Sequence, residues 1–407
     1  MSIRKQITVR VAITIALAGA MLFGLLTINT TGAQAKNPLD GNVMWIWYVD
    51  KSGGSADAIA RKAKKHNVRT VLIKSSDGTR VWSQFTKKLV SDLKAKGLNV
   101  CGWQYTYGAN PAAEARAGAT AKDRGADCFI INAEVEYEGK YRAADRYMRV
   151  LRREVGDKFP LGLSSFPYVH YHPSFPYSVF LGPDRAKWNL PQAYWKAIGT
   201  SVGKVYRETY RWNRPYNAKI YPTGQTWMKP SKKQIRKFRT VGQQHGAKGL
   251  SWWSWQETTS NRWKWIGKKI KKSKKKAKAY WPKLSVGSRG DVVVLAQELL
   301  RRGAPSNKTL KEKDVDGIFG NQTAKAVKAF QNAHGLPNTG VIDKATWKAL
   351  RKYKPVRTRW YKPKNNNNNG DRESAVLTPD SGSGANAPDS ARIPPRGYEI
   401  TPGLRRG

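Results

Sequence analysis

Asn99-Val100-Cys101-Gly102-Trp103-Gln104-Tyr105, then Ala112–Arg124, then Cys128-Phe129-Ile130-Ile131-Asn132-Ala133-Glu134, reads as strand, helix, strand. The outer runs are short, apolar and finish in polar or aromatic residues. The middle run is rich in alanine and is followed by Gly125, where a helix C-cap is expected. Two such strands joined by a helical crossover form a parallel βαβ unit. The same alternation extends in both directions. Further strands are expected at Met44–Asp50, Thr70–Ser75, Leu161–Phe166, Asn189–Trp195, Lys219–Thr223 and Gly249–Trp255. Helices are expected at Ala56–His66, Val81–Lys96, Arg142–Val155, Val202–Arg211, Ser231–His245 and Trp263–Lys272. Eight strands alternating with helices predict an α/β fold, a (β/α)8 TIM barrel over residues 40–267. The long aromatic stretch Pro167–Pro183 makes the fifth unit the least regular. An open doubly wound sheet is the alternative, and no glycine-rich phosphate-binding fingerprint accompanies it.

The 407-residue chain is 40% hydrophobic and 11% aromatic, enough for a real core, so a wholly disordered chain is excluded. Two cysteines exclude a disulfide scaffold and a multi-cysteine zinc protein. Sixteen tryptophans point to a surface that grips rings or sugars. The formal net charge of +46 favours an anionic partner: nucleic acid, a membrane surface or an acidic wall polymer. Arg4, Lys5 and Arg10, the apolar run Val11–Leu26 and Ala33-Gln34-Ala35 have the layout of a secretory signal peptide over residues 1–35, with cleavage near Ala35. An uncleaved anchor is the alternative reading. A secreted protein is therefore expected, and nucleic acid is not expected as a physiological partner.

Arg262–Lys283 contains no acidic residue, and residues 268–283 read as a cationic linker suited to anionic envelope polymers. A small helical unit follows over 284–353. Gly287-Ser288-Arg289-Gly290-Asp291 opens its first helix, with Val292, Leu295 and Leu299 on one face. Asp316-Gly317-Ile318-Phe319-Gly320 is a tight turn. The next helix carries Ala326, Val327, Phe330 and Gln331. His334-Gly335-Leu336-Pro337, Gly340-Val341-Ile342-Asp343 and Thr346, Trp347 and Leu350 complete the series. In this order the blocks resemble the bacterial three-helix peptidoglycan-binding domain appended to wall hydrolases. The resemblance implies docking on peptidoglycan. Ala304–Lys313 lengthens the first loop relative to that pattern. Asp316, Gly317 and Gly320 are read as turn geometry. The Asn-, Ser-, Gly- and Pro-rich stretch 354–407 has too few apolar residues to fold and is expected to be a disordered tail.

Barrel enzymes carry their chemistry at the C-terminal strand ends. Those ends offer Asp50, then Lys74 and Asp77, then Trp103 and Tyr105, then Asn132, Glu134 and Glu136, then Gln192 and Trp195, then Gln225, and last Trp255 and Glu257. Alternate strand residues share a face about 6.6–6.8 Å apart, so Asn132, Glu134 and Glu136 share one if the extended geometry persists. Paired carboxylates serve glycoside cleavage because one is held protonated while the other stabilises a cation or activates water. The Asn132-Ala133-Glu134 end resembles the Asp-x-Glu signature of barrel-type muramidases and chitinase-like glycosidases. The resemblance gives Glu134 the general-acid position, and Asn132 stands where the family has Asp. Asn132 can orient substrate or water but cannot act as a base, so Glu136, Asp50 or Glu257 is left to supply the second carboxylate. Lys74, Trp103, Tyr105, Gln192, Trp195, Gln225 and Trp255, with Asn132, are the candidate substrate contacts. An ion pair between Glu134 and Lys74, and core packing for any single tryptophan, are the plainer readings.

His170-Tyr171-His172 has a spacing that can bind a metal if a carboxylate joins it, but no HExxH motif is present and aromatic packing explains the loop better. No metal, cofactor or stable protein partner is expected. Cys101 and Cys128 lie within apolar runs on neighbouring strands. Two buried free thiols are the expectation, with a disulfide geometrically possible. Hydrolysis of a glycosidic bond in peptidoglycan or a related polysaccharide is the leading function. A non-catalytic wall-binding protein with a degenerate barrel is the rival.

Overall fold

The computed structural model describes residues 37–182, 184–268, 273–303 and 310–361. The expected leader, Lys269–Lys272 of the linker, most of the lengthened loop and residues 362–407 lie outside them. Ten strands form one sheet: β1 (Gly41–Ile46), β2 (Val68–Asp77), β3 (Arg80–Val81), β4 (Asn99–Thr106), β5 (Cys128–Ala133), β6 (Leu161–Ser164), β7 (Trp188–Asn189), β8 (Lys219–Ile220), β9 (Thr223–Gln225) and β10 (Gly249–Trp253). All pairs are parallel except the short antiparallel β2–β3 hairpin. The order runs β8-β7-β6-β5-β4-β2-β1-β10-β9. Its two ends belong to one segment, residues 219–225. Tyr221 N donates to Asn189 O at 2.8 Å, and Ser251 N donates to Pro222 O at 3.1 Å. With β8 and β9 as halves of one strand and β3 set aside, the ring closes on eight parallel positions, the geometry of a (β/α)8 barrel.

Helices α1 (Ala56–Lys65), α2 (Lys87–Ala95), α3 (Pro111–Asp123), α4 (Tyr141–Val155), α5 (Tyr177–Phe180), α6 (Val202–Asn213), α7 (Lys232–Gln244) and α8 (Ser260–Gly267) accompany the barrel strands. Side chains alternate across each strand. Met44, Ile46, Val71, Ile73, Val100, Phe129 and Ile131 pack outward under the helices. Val43, Trp45, Leu72, Cys101, Trp103, Cys128, Ile130, Trp188 and Leu190 form the separate interior cluster. Helix α2 begins six residues later than expected. Arg80–Val81 pairs with β2, Trp82 N donates to Ser75 O at 2.9 Å, and Thr86 then caps the helix by accepting from Leu89 N at 3.0 Å. The free-thiol expectation is corrected: Cys101 and Cys128 form a disulfide. They are register partners on adjacent parallel strands, and both point inward, so their sulfurs meet. Closing a separation of 27 residues limits the unfolded chain by about 3–4 kcal/mol on a loop-entropy argument.

The C-terminal unit comprises α9 (Asp291–Gly303), α10 (Asn321–Ala333) and α11 (Lys344–Leu350). Two buried glutamines repeat one device. Gln297 Oε1 accepts from Asp316 N (3.1 Å) and Gly317 N (3.0 Å), while its Nε2 donates to Thr323 Oγ1 (3.1 Å). Gln331 Oε1 accepts from Gly340 N (2.9 Å), and its Nε2 donates to Thr346 Oγ1 (3.1 Å). Each amide ties a glycine turn to the helix that follows it, which supports the structural reading of Asp316 and Gly317.

This unit packs directly on the barrel, and the described residues from Pro38 onward form one compact body. The Asp291 carboxylate is fully buried. It accepts from Tyr141 Oη (2.9 Å), Tyr216 Oη (2.8 Å), Ser178 Oγ (2.7 Å) and Ser178 N (2.8 Å), all from the barrel side. Gly290 passes against Pro173 with φ 110°, where a Cβ would sit 2.8 Å from the proline ring. The expectation of a tail beginning at 354 is corrected for its first residues. Val356 N donates to Glu298 O (2.9 Å), Thr358 N to the buried Glu298 carboxylate (2.8 Å), and Trp360 packs on Tyr141 at 4.7 Å. Residues 354–361 thus strap the helical unit to the barrel.

Burial pushes the Asp291 carboxyl up to about 6, against the four donors. The folded protein then holds this proton more tightly than the unfolded chain does, so the group's contribution to stability falls as pH rises from about 4 to about 6. Asp291→Ala leaves those donors unpaired and costs about 3 kcal/mol at neutral pH, read by denaturant melts. The variant also loses this group's pH slope. A change under about 0.5 kcal/mol contradicts the anchoring role.

Candidate active site

Strand β5 ends at Ala133, and Glu134 follows at the mouth of the barrel. Its Oε1 accepts from Gln192 Nε2 at 2.8 Å and from Asn132 Nδ2 at 3.2 Å, and Gln192 Nε2 lies 3.0 Å from Asn132 Oδ1. The residue is partly buried. Burial pushes its carboxyl above the ordinary range, the two amides pull it back, and the charge of Glu136 pushes it further up. Glu136 is not on the strand: Val135–Tyr137 forms a 3-10 turn that breaks the extended geometry. Tyr105 Oη, at the end of β4, donates to Glu136 Oε2 at 2.7 Å. Burial and then the charge of Glu134 keep the Tyr105 phenol protonated. The structure therefore gathers Asn132, Glu134, Glu136, Tyr105 and Gln192 at three strand ends.

Lys74 occupies the neighbouring position on β2, only 2% exposed. It does not pair with Glu134. Its Nζ donates to Asp77 Oδ2 at 2.6 Å and lies 4.5 Å from the Trp47 ring, 4.5 Å from Trp82 and 5.0 Å from Trp103. Burial lowers the Lys74 pKa, and Asp77 opposes the shift. Tyr107 Oη donates to the other Asp77 oxygen at 2.8 Å, and its ring packs on Tyr105 at 5.0 Å. A belt of charged and phenolic groups thus runs from Lys74 to Glu136. The loop carrying it is held by Glu114, whose carboxylate collects the backbone N–H groups of Tyr107, Gly108, Ala109 and Asn110 at 2.8–3.0 Å. Gly108 has φ 67°, and a Cβ there would meet the Tyr137 ring at 3.0 Å.

Other expected site residues lie elsewhere. Asp50 is exposed in the turn after β1, where its carboxylate accepts from Lys51 N at 2.8 Å. Glu257 is half-buried after β10, in the turn where its N–H meets Ser254 O. Trp195 is fully buried outside the ring, 5.0 Å from Phe238, and Trp255 packs on Trp263 at 4.7 Å. Both belong to the helix-facing core. The Gln225 Oε1 is taken by Lys196 N at 2.8 Å and its Nε2 by Trp227 O at 3.2 Å, so it shapes the backbone. Trp103 is inside the barrel but 1% exposed, and its indole N–H donates to Ile46 O at 3.0 Å. It forms floor, together with Trp45 and Trp253, whose ring centroids all lie 5.5 Å from one another and from Trp103. Half-buried aromatics at the rim include Trp47, Tyr48, Trp82, Tyr105 and Tyr107.

Asp77 is read from the sequence as a strand-end residue without a role, and Tyr107 is not read at all. The Lys74-x-x-Asp77 spacing at a strand end is the signal that finds the first; nothing local marks the second. His172 Nδ1 lies 2.7 Å from Glu138 Oε1 and its ring stacks on Phe166 at 3.5 Å, while His170 stacks on Trp212 at 4.4 Å. Among the described residues no group of three His, Cys, Asp or Glu side chains could hold a metal ion. Two surface cavities lie away from the Glu134 cluster. One of about 460 Å3 is lined by Arg301, Arg302, Leu310, Lys311 and Val356; one of about 190 Å3 separates α9 from His170 and Trp212.

Residues 288–350 match the family described as "Putative peptidoglycan binding domain". No curated protein matches the chain. Among solved structures it is similar to a chitinase from Chromobacterium violaceum, at 12% identity and TM-score 0.41 over 56% of this chain and 98% of that one. It is also similar to the ICChI chitinase of Ipomoea carnea, at 11% and 0.40 over 56% and 98%. A fungal beta-1,4-galactanase gives 10% and 0.39 over 53% and 88%. No described helix is long and apolar enough to cross a membrane. The chain is thus a parallel α/β barrel carrying a C-terminal unit of the peptidoglycan-binding family.

Proposed function

We propose that this protein is a wall-docked glycosidase that cleaves a glycosidic bond in peptidoglycan or a related wall polysaccharide, with Glu134 as general acid. The observation that carries the reading is the placement of Glu134: a carboxyl pushed up by burial, at the C-terminal mouth of a barrel rimmed by half-buried aromatics. Indole and phenol faces suit the apolar faces of sugar rings. Glu134 delivers its proton to the leaving glycosidic oxygen as the bond to the anomeric carbon breaks. Water adds to that carbon and gives its proton to Glu136, the carboxylate whose charge bears on Glu134. The peptidoglycan-binding unit supplies the wall address. Export by the N-terminal segment completes the proposal.

A second reading, a wall-binding protein without turnover, is favoured by one observation. Asn132 and Gln192 both donate to a single Glu134 oxygen, which stabilises the ionised form and so opposes general-acid chemistry.

Purified full chain is expected to release reducing ends from cell walls, and Glu134→Gln to abolish the release while wall pull-down stays intact. Activity retained in that variant removes Glu134 from the mechanism. Absence of release by the wild type on a panel of wall glycans favours the binding protein.

A general acid must be protonated, so kcat/KM falls as pH rises through the Glu134 pKa. Gln192→Leu removes the shorter donor to the carboxylate, raising that pKa and moving the alkaline limb up by roughly 0.7 pH units for a hydrogen bond of about 1 kcal/mol. An unmoved or downward-shifted limb contradicts the assignment.

A further inference from the structure

From Thr209 to Gly290 the chain holds one acidic residue, Glu257, against twenty-two lysines and arginines. The fold turns this imbalance into a surface. On α7, Lys232, Lys233, Arg236 and Lys237 are exposed while Ile235, Phe238 and Gly242 are buried, so the first turns of the helix present a cationic patch to solvent, with exposed Gln243 near its far end. Helix α8 packs beside it, tied by Arg239 Nη1 donating to Trp265 O at 3.0 Å, and adds exposed Lys264 and Lys268. Residues 273–277 of the linker lie against α7. Ser273 N donates to Gln243 Oε1 at 3.2 Å and Ala277 N donates to Gln244 O at 2.8 Å, so the exposed lysines 274–276 sit between two anchors on the end of α7. None of these cations forms an ion pair with a described carboxylate.

We infer that this α7–α8–linker face is a second docking surface, and that its occupant is a phosphodiester-linked anionic wall polymer. Three features select that chemistry. The charges lie on the first turns of α7, on Lys264 and Lys268 beside it and on lysines 274–276 anchored at its other end, instead of converging on a pocket, which suits a repeating anion over a compact one. Across α7, α8 and residues 273–278 no Trp, Phe, Leu or Ile is exposed to insert into a lipid surface; the exposed Met228 and Tyr280 lie at its two margins, Tyr280 covered by Lys278 at 5.5 Å. The same compact body carries a unit of the peptidoglycan-binding family, so a polymer borne by that glycan would meet this face at high local concentration. Like charges held together repel and weaken the compact state, and a polyanion removes that penalty while releasing its own counterions. The inference rests on the wall-docking part of the proposed function and is independent of hydrolysis.

The test uses the full chain and synthetic poly(glycerol phosphate), with anisotropy as readout across a salt series. Wild type is expected to bind, with affinity falling steeply as salt rises. The Lys232→Gln/Lys233→Gln/Arg236→Gln/Lys237→Gln variant is expected to bind at least tenfold more weakly at low salt, with a log–log salt slope shallower by about 3, taking 0.7–0.9 per phosphate contact. Its pull-down on peptidoglycan stripped of phosphate polymers is expected to match wild type, which separates this surface from the helical unit. If the variant melts early, Lys274→Gln/Lys275→Gln/Lys276→Gln, outside any helix, carries the same comparison with the same expected direction. Equal polymer binding by wild type and variant overturns the proposal, as does preference for phosphatidylglycerol vesicles over the polymer at equal phosphate.

Discussion

A closed ring of parallel strands sends every strand's carboxyl end to one mouth, and its interior must be filled. Here indoles do the filling. Trp45, Trp103 and Trp253 meet edge to face across the barrel, Trp45 donates to Ser251 Oγ at 3.0 Å, and the Cys101–Cys128 disulfide lies in the same interior cluster. This floor decides what the next inward positions can be. Lys74 is held against three indole faces and neutralised by Asp77. Asn132 and Gln192 satisfy one another and close on Glu134. A carboxyl set on an apolar floor loses hydration, and that loss raises its pKa. The chemistry at the mouth therefore follows from the packing beneath it.

The alternation of apolar strands with amphipathic helices made the barrel legible, and the block order from Gly287 to Leu350 made the helical unit legible. What stayed hidden was which way a residue faces. Trp195 and Trp255 sit in apolar runs like those of Trp45 and Trp103, yet they pack outward on Phe238 and Trp263. Their runs depart from regular strand geometry: β7 is two residues long, and β10 ends before Trp255, so counting by twos loses the face. The disulfide was underread because an apolar run is compatible with either cysteine state, and only register decides it. Glu134 was legible as the terminus of a strand. Its donors were half legible: Asn132 lies two residues away, while Gln192 reaches it across the ring.

The helical unit is more than an appended anchor. Asp291 gathers donors from α4, α5 and the turn holding Tyr216, and residues 354–361 strap Glu298 to the barrel through Arg357 and Thr358. Such contacts join residues separated by 60–150 positions, so no local pattern announced them. A unit of the peptidoglycan-binding family is thereby held on the barrel as part of one compact body.

The central claim is that the mouth breaks a glycosidic bond. Its most direct test is digestion of purified peptidoglycan by the full chain in 18O-labelled water, with mass spectrometry of the fragments. The account predicts one 18O atom at the newly formed reducing-end sugar. Label in a peptide or lactyl carboxylate, or no labelled fragment above a protein-free control, would contradict it.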